Sequence, residues 1–72
     1  MNLHERCQEL REEGIPVWIR MLDTAGGKTN IWVYYGYCPA ILCSSRLREA
    51  EIAVEVIAKM HRIAEGEDAV AA

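Results

Sequence analysis

The chain has 72 residues and a formal net charge of −3, with 51% hydrophobic and 26% charged residues. The length suits one domain and excludes two, and the composition is that of a folded globular protein rather than a disordered one. The negative balance excludes a global field that gathers nucleic acid or anionic membranes, although a local basic patch is compatible with it. A domain of this size buries only about 60% of the surface its unfolded chain exposes. Its core supplies about 3–5 kcal/mol, so a metal, a disulfide, a partner or unusually good packing is expected to help.

Asn2 is placed to cap a first helix, and Glu5, three residues on, completes a capping box. Leu3, Cys7 and Leu10 follow at helical spacing as one narrow apolar stripe. Gly14 can take the left-handed position past the last turn, with Ile15 folded back onto Leu10 and Pro16 barring continuation. The first helix is therefore expected at Leu3–Glu13.

Val17–Leu22 reads as a strand, with Val17, Ile19 and Met21 on one face and Trp18, Arg20 and Leu22 on the other. Residues 23–30, Asp-Thr-Ala-Gly-Gly-Lys-Thr-Asn, form a polar, glycine-rich loop. Ile31–Tyr37 reads as a second strand, paired antiparallel with the first. After the turn at Cys38-Pro39-Ala40, the short run Ile41–Cys43 is a candidate third strand, which a marginal two-stranded sheet needs. Ser44 or Ser45 is the expected cap of a long helix that runs to Ala64 or Glu65 and stops at Gly66. The pattern predicts one α+β domain over residues 1–66: an N-terminal helix, an antiparallel sheet of two or three short strands, and a long C-terminal helix. A frayed acidic and alanine tail is expected at residues 67–72.

The long helix is the most informative element. Arg48, Glu51, Glu55, Lys59 and Arg62 fall within about 80° of one another as a charged ridge, with Glu55 and Lys59 spaced as an i,i+4 pair. Apolar residues occupy most of the remaining circumference, about twice the ~100° that a surface helix of a small domain needs. Either the first helix covers the excess or a second copy or foreign partner does; Val54, Ile57 and His61 are the expected dimer surface.

Asp23-Thr24-Ala25-Gly26 resembles the switch motif of GTPases, and Gly27-Lys28-Thr29 resembles the end of a P-loop. The phosphate cradle nevertheless needs an earlier glycine where Leu22 stands, and it leads into a helix, whereas this loop leads into a strand. A hairpin loop is the reading. His4, Cys7, Cys38, Cys43 and His61 suggest zinc, but H-x-x-C beside C-x₄-C only loosely matches structural-site spacing. An odd cysteine count in a chain whose N-terminus, Met1–Arg11, is too charged for a signal peptide reads as free thiols packed as small hydrophobes. A Cys43–His61 pair lacks an orienting group and an oxyanion hole, so no enzyme and no cofactor is expected.

The aromatic residues carry more. If the hairpin register aligns the two strands, Trp18, Arg20, Trp32 and Tyr34 share one sheet face, and Val17, Ile19, Met21, Ile31, Val33 and Tyr35 share the other. With both helices on the aliphatic side the aromatic face stays open; with the helices on opposite sides the aromatics are core. Trp, Tyr and Arg dominate binding hot spots. The order helix–strand–strand–(strand)–helix is similar, in topology alone, to that of double-stranded-RNA-binding domains and three-stranded DNA-binding modules. In those RNA binders the start of the long helix meets phosphates; here it offers Arg46 and Arg48 with Glu49 and Glu51 interleaved. The expectation is a cytoplasmic, small protein-binding regulator or inhibitor that occupies a surface of a larger complex, like the inhibitors carried by phages and mobile elements, anti-CRISPR proteins among them. Its partner-binding residues are expected to be Trp18, Arg20, Trp32 and Tyr34, with Glu51 and Glu55 available to a basic partner. The alternatives are a nucleic-acid-binding module and a zinc-stabilised homodimeric adaptor.

Overall fold

Helix α1 spans Leu3–Glu12 and begins as its first residues dictate. Asn2 Oδ1 accepts a hydrogen bond from the Glu5 N–H at 2.9 Å, and the Asn2 side-chain amide donates to Glu5 Oε1 at 3.3 Å. The reciprocal half of the capping box thus joins two side chains instead of reaching the Asn2 backbone. At the other end Gly14 has φ 92°. The Ile15 N–H bonds the Leu10 carbonyl and the Gly14 N–H bonds that of Arg11, both at 2.9 Å. These are the paired bonds of a Schellman closure, and Ile15 and Leu10 are both buried beside it. Glu13 takes the C-cap position, so the helix ends one residue short of the expected boundary. The computed structural model describes residues 2–37 and 39–66; Cys38 and the expected tail at 67–72 lie outside the described residues.

Strands β1 (Val17–Asp23), β2 (Thr29–Tyr35) and β3 (Leu42–Ser44) form one antiparallel sheet in the order β1-β2-β3. The Asp23–Thr29 segment closes as a hairpin, as its direction from strand to strand requires. The Thr24 N–H bonds the Lys28 carbonyl at 2.7 Å, and Thr29 Oγ1 donates to Asp23 Oδ1 at 2.7 Å. β2 stops at Tyr35, two residues early, because Gly36 turns the chain at φ 64°. The third strand is present but one residue later than the apolar run suggests. Its ladder pairs Leu42 with Val33, Cys43 with Trp32 and Ser44 with Ile31, which aims Leu42 at the core.

Helix α2 spans Leu47–Ala64. Neither Ser44 nor Ser45 occupies its N-cap position, which falls to Arg46 without a side-chain cap bond. Ser44 ends β3 and acts from there: its Oγ accepts from the Arg46 N–H and donates to Glu49 Oε2, each at 3.0 Å. A strand residue thereby ties down the helix start.

Both helices lie on the aliphatic face of the sheet, α1 over β1 and α2 mainly over β2 and β3. The core joins Leu3, Cys7, Leu10 and Ile15 to Val17, Ile31 and Val33 and to Ala50, Val54 and Ala58, with Ile19, Tyr35, Leu42 and Ile57 packed around it. Alanines at the α2 contact let the helix sit close to the sheet. The helices are joined by ion pairs at both ends. Arg6 forms a fork on Glu55, with Nε at 2.7 Å and Nη2 at 2.9 Å, and Arg62 reaches Glu13 at 2.6 Å. The expected Glu55–Lys59 bridge is absent among the described residues, because the bidentate guanidinium outcompetes a flexible ammonium for the same carboxylate.

The hydrogen bond from Arg6 holds the Glu55 carboxyl below the usual carboxylate range, against a smaller opposing effect of burial. A depressed carboxylate contributes stability above its unfolded pKa and loses it as pH falls through the folded value. Glu55 is about half exposed, so the pair contributes less than about 1 kcal/mol. Glu55→Gln is expected to lower the thermal midpoint at pH 7 by no more than about 8 °C. The gap between parent and variant should close as acid protonates Glu55. An undiminished gap at acid pH would show that the pair is not its source.

Candidate functional site

The strand register settles which side chains share the uncovered face. Trp18 stands opposite Tyr34, and Arg20 opposite Trp32, which is flanked on its other side by Cys43. Leu22 stands opposite Asn30 at the hairpin end. Directly opposed side chains in an antiparallel pair are about 4.5–5.5 Å apart at Cβ, so these residues form a continuous surface. Neither of the described helices covers it: Trp18 is 41% and Leu22 43% exposed, while Trp32 and Tyr34, on the central strand, are half-buried by their neighbours. The four expected residues Trp18, Arg20, Trp32 and Tyr34 are therefore brought together on one open face.

Two further residues complete this face. Arg11, from the last turn of α1, sends Nη1 to the Val17 carbonyl at 2.8 Å, and its guanidinium lies 5.7 Å from the Trp18 ring centroid. A cation over an indole restrains the ring and adds a second positive charge beside Arg20. Tyr37, fully exposed after the Gly36 turn, makes a shallow recess with Trp18, Tyr34 and Gly36. Sequence periodicity points to neither, since Arg11 reaches the face around the sheet edge and Tyr37 lies past the strand end.

The acidic positions go elsewhere. Glu51 and Glu55 lie on α2 beside Asn2, Leu3 and Arg6 of the α1 end, with the sheet between them and the aromatic face. Glu55 is already held by Arg6. The two sets do not form one site.

The expected dimer residues also separate. Val54 is fully buried against the sheet and presents nothing to a partner. His61 turns inward, where a 2.6 Å hydrogen bond joins its Nδ1 to the Tyr35 hydroxyl. Ile57 stands at the shoulder of an open apolar groove of about 530 Å³, with Tyr35, Ile41, Ala53, Val56, Met60 and others. The excess apolar surface of α2 is real but displaced outward to Ile52, Val56, Met60 and Ile63. The first helix does not cover it, because its ion pairs hold it against the charged ridge.

The sheet separates Cys7 of α1 from Cys43 of β3. Cys7 is buried in the core, where loss of water raises its thiol pKa, and Cys43 is exposed on the aromatic face instead of packed. The two lie on opposite sides of the sheet and cannot share a metal. Among the described residues no three His, Cys, Asp or Glu side chains are grouped to hold one. Brief alkylation of the native protein is expected to modify Cys43 and spare Cys7 until denaturant is added, as read by mass spectrometry of peptides. Equal labelling of both would contradict the burial of Cys7. None of the described helices is long and apolar enough to cross a membrane. Compared with known proteins, the chain gives no match to a family model, to a curated protein or to a solved structure.

Proposed function

We propose that this chain is a small cytoplasmic protein-binding regulator or inhibitor that lays its aromatic sheet face on a surface of a larger protein complex. One observation supports this reading above the rest: Trp18, Arg20, Trp32 and Tyr34 are in register on a face that neither helix covers. A thin domain that leaves two tryptophans out of its core forgoes stability it needs, and a use for that face accounts for the cost. These residue types are the ones that anchor interfaces, and Arg11 and Arg20 favour an acidic or carbonyl-rich counterpart. Small inhibitors carried by phages and mobile elements are the nearest functional analogy, drawn from size and build alone. The test is affinity capture from the source cell with parent, Trp32→Ala and Arg20→Glu proteins compared side by side. A partner held by the parent and lost by both variants supports the reading, and a partner held equally by all three removes the aromatic face from it.

A second reading, a nucleic-acid-binding module, draws on Arg46 and Arg48, both exposed at the start of α2 within an α-β-β-β-α order. Arg46 lies 3.8 Å from Glu49, which offsets its charge. Binding of a labelled RNA or DNA duplex that weakens steeply with salt would favour this reading, and no shift at low salt would remove it.

A further inference from the structure

The outer side of α2 carries a pattern that the sheet face does not explain. Ile52, Val56, Met60 and Ile63 recur at i, i+4, i+8 and i+11, on the side of the helix opposite the buried Val54 and Ala58. Each is about half exposed or more, Met60 at 64%. Beside them Ala53 and Ala64 leave the helix backbone approachable, and Ile41 and Tyr35 wall the groove.

We infer that this strip is a homodimer interface in which α2 packs antiparallel against α2 of a second copy of the chain. The spacing is self-complementary. With a two-fold axis between residues 57 and 58, Ile52 of one helix stands level with Ile63 of the other, and Val56 falls within one residue, ~1.5 Å along the axis, of Met60. An isologous interface pairs residue i with j and j with i, and in this register the strip meets itself with apolar residues from both copies. Charges agree with the same register. Glu55 and Lys59 border one side of the strip, and antiparallel pairing sets Lys59 of each helix within about one residue, ~1.5 Å along the axis, of the other copy's Glu55, a carboxylate that its fork with Arg6 leaves half exposed. Glu49, the acidic residue on the strip side, is drawn back to Ser44 and falls level with the second copy's Gly66, past its last helical turn. The area is sufficient as well. Ile41, Ile52, Val56, Met60 and Ile63 are each about half exposed or more and together expose on the order of 500 Å² per chain, so the pair removes at most about 1,000 Å² from water, the lower threshold for a specific interface.

Light scattering coupled to size exclusion tests this on the intact chain at about 5 µM and about 200 µM, either side of the micromolar Kd that a small interface allows. The expected mass at the higher concentration is twice the 8.1 kDa of one chain. Val56→Asp and Met60→Glu are each expected to give one-chain mass with an unchanged circular dichroism spectrum, while Trp32→Ala stays dimeric. If Val56→Asp unfolds, Met60→Glu decides alone, since its side chain is the most exposed of the four. A parent protein that is monomeric at about 200 µM overturns the inference and leaves the strip to a foreign partner or a lipid. So does a Met60→Glu protein that remains dimeric. Neither result bears on the aromatic face, which lies on the opposite side of the sheet.

Discussion

Val54→Asp is expected to unfold this domain, whereas Val56→Asp, two positions along the same helix, leaves it folded. Val54 is wholly removed from solvent between α2 and the sheet, and among the described residues no buried polar or charged side chain is there to receive a carboxylate. An uncompensated buried charge costs about 3–5 kcal/mol, comparable to the whole stability that a core this thin supplies. Val56 faces away from the sheet at 49% exposure, and a carboxylate there stays hydrated. Circular dichroism melts of both variants read the contrast directly. A cooperative melt for Val54→Asp near the parent midpoint would mean that α2 presents a different face to the sheet.

The second large effect is on binding. Trp32→Ala should weaken association with the partner by at least about 30-fold, the effect of losing a hot-spot anchor of about 2 kcal/mol or more. Its fold should survive, because Trp32 points away from the helices and the β2 residues that hold the core are Ile31 and Val33. Arg20→Glu should act in the same direction through charge reversal next to the same indole. If either variant binds normally while its spectrum is unchanged, the aromatic face is not the contact surface. If Trp32→Ala unfolds, the indole is supporting the sheet instead.

Much of the architecture was legible because local signals agreed with one another. Asn2, Gly14 and Pro16 bracket α1, and strict alternation in β1 and β2 divides the hairpin into an aromatic and an aliphatic face. The register that the sequence leaves conditional is the one that keeps the aliphatic sets of both strands on one side, since a slip of one residue would put one set on the wrong face. What could not be read was which face both helices take, since that depends on the summed packing of Leu3, Cys7, Leu10, Val54 and Ala58 and not on any short motif. The same gap misplaced the dimer residues. Periodicity shows that α2 has excess apolar surface, but only packing shows that Val54 faces the sheet while Val56 and Met60 face out. Helical spacing gives Glu55 the neighbour Lys59, whereas its neighbour in space is Arg6, 49 positions away. Composition points to Ser44 or Ser45 as the cap of α2, yet Arg46 takes that position, and Ser44 instead braces the helix start from the end of β3.

Hydroxyl-radical footprinting of the chain with and without its captured partner tests the central claim most directly. Oxidation is expected to fall at Trp18, Trp32 and Tyr34 when the partner is present and to stay constant at Met60 on the outer side of α2. Protection of Met60 with unaltered oxidation of both tryptophans would contradict the account and move the functional surface to the helical layer.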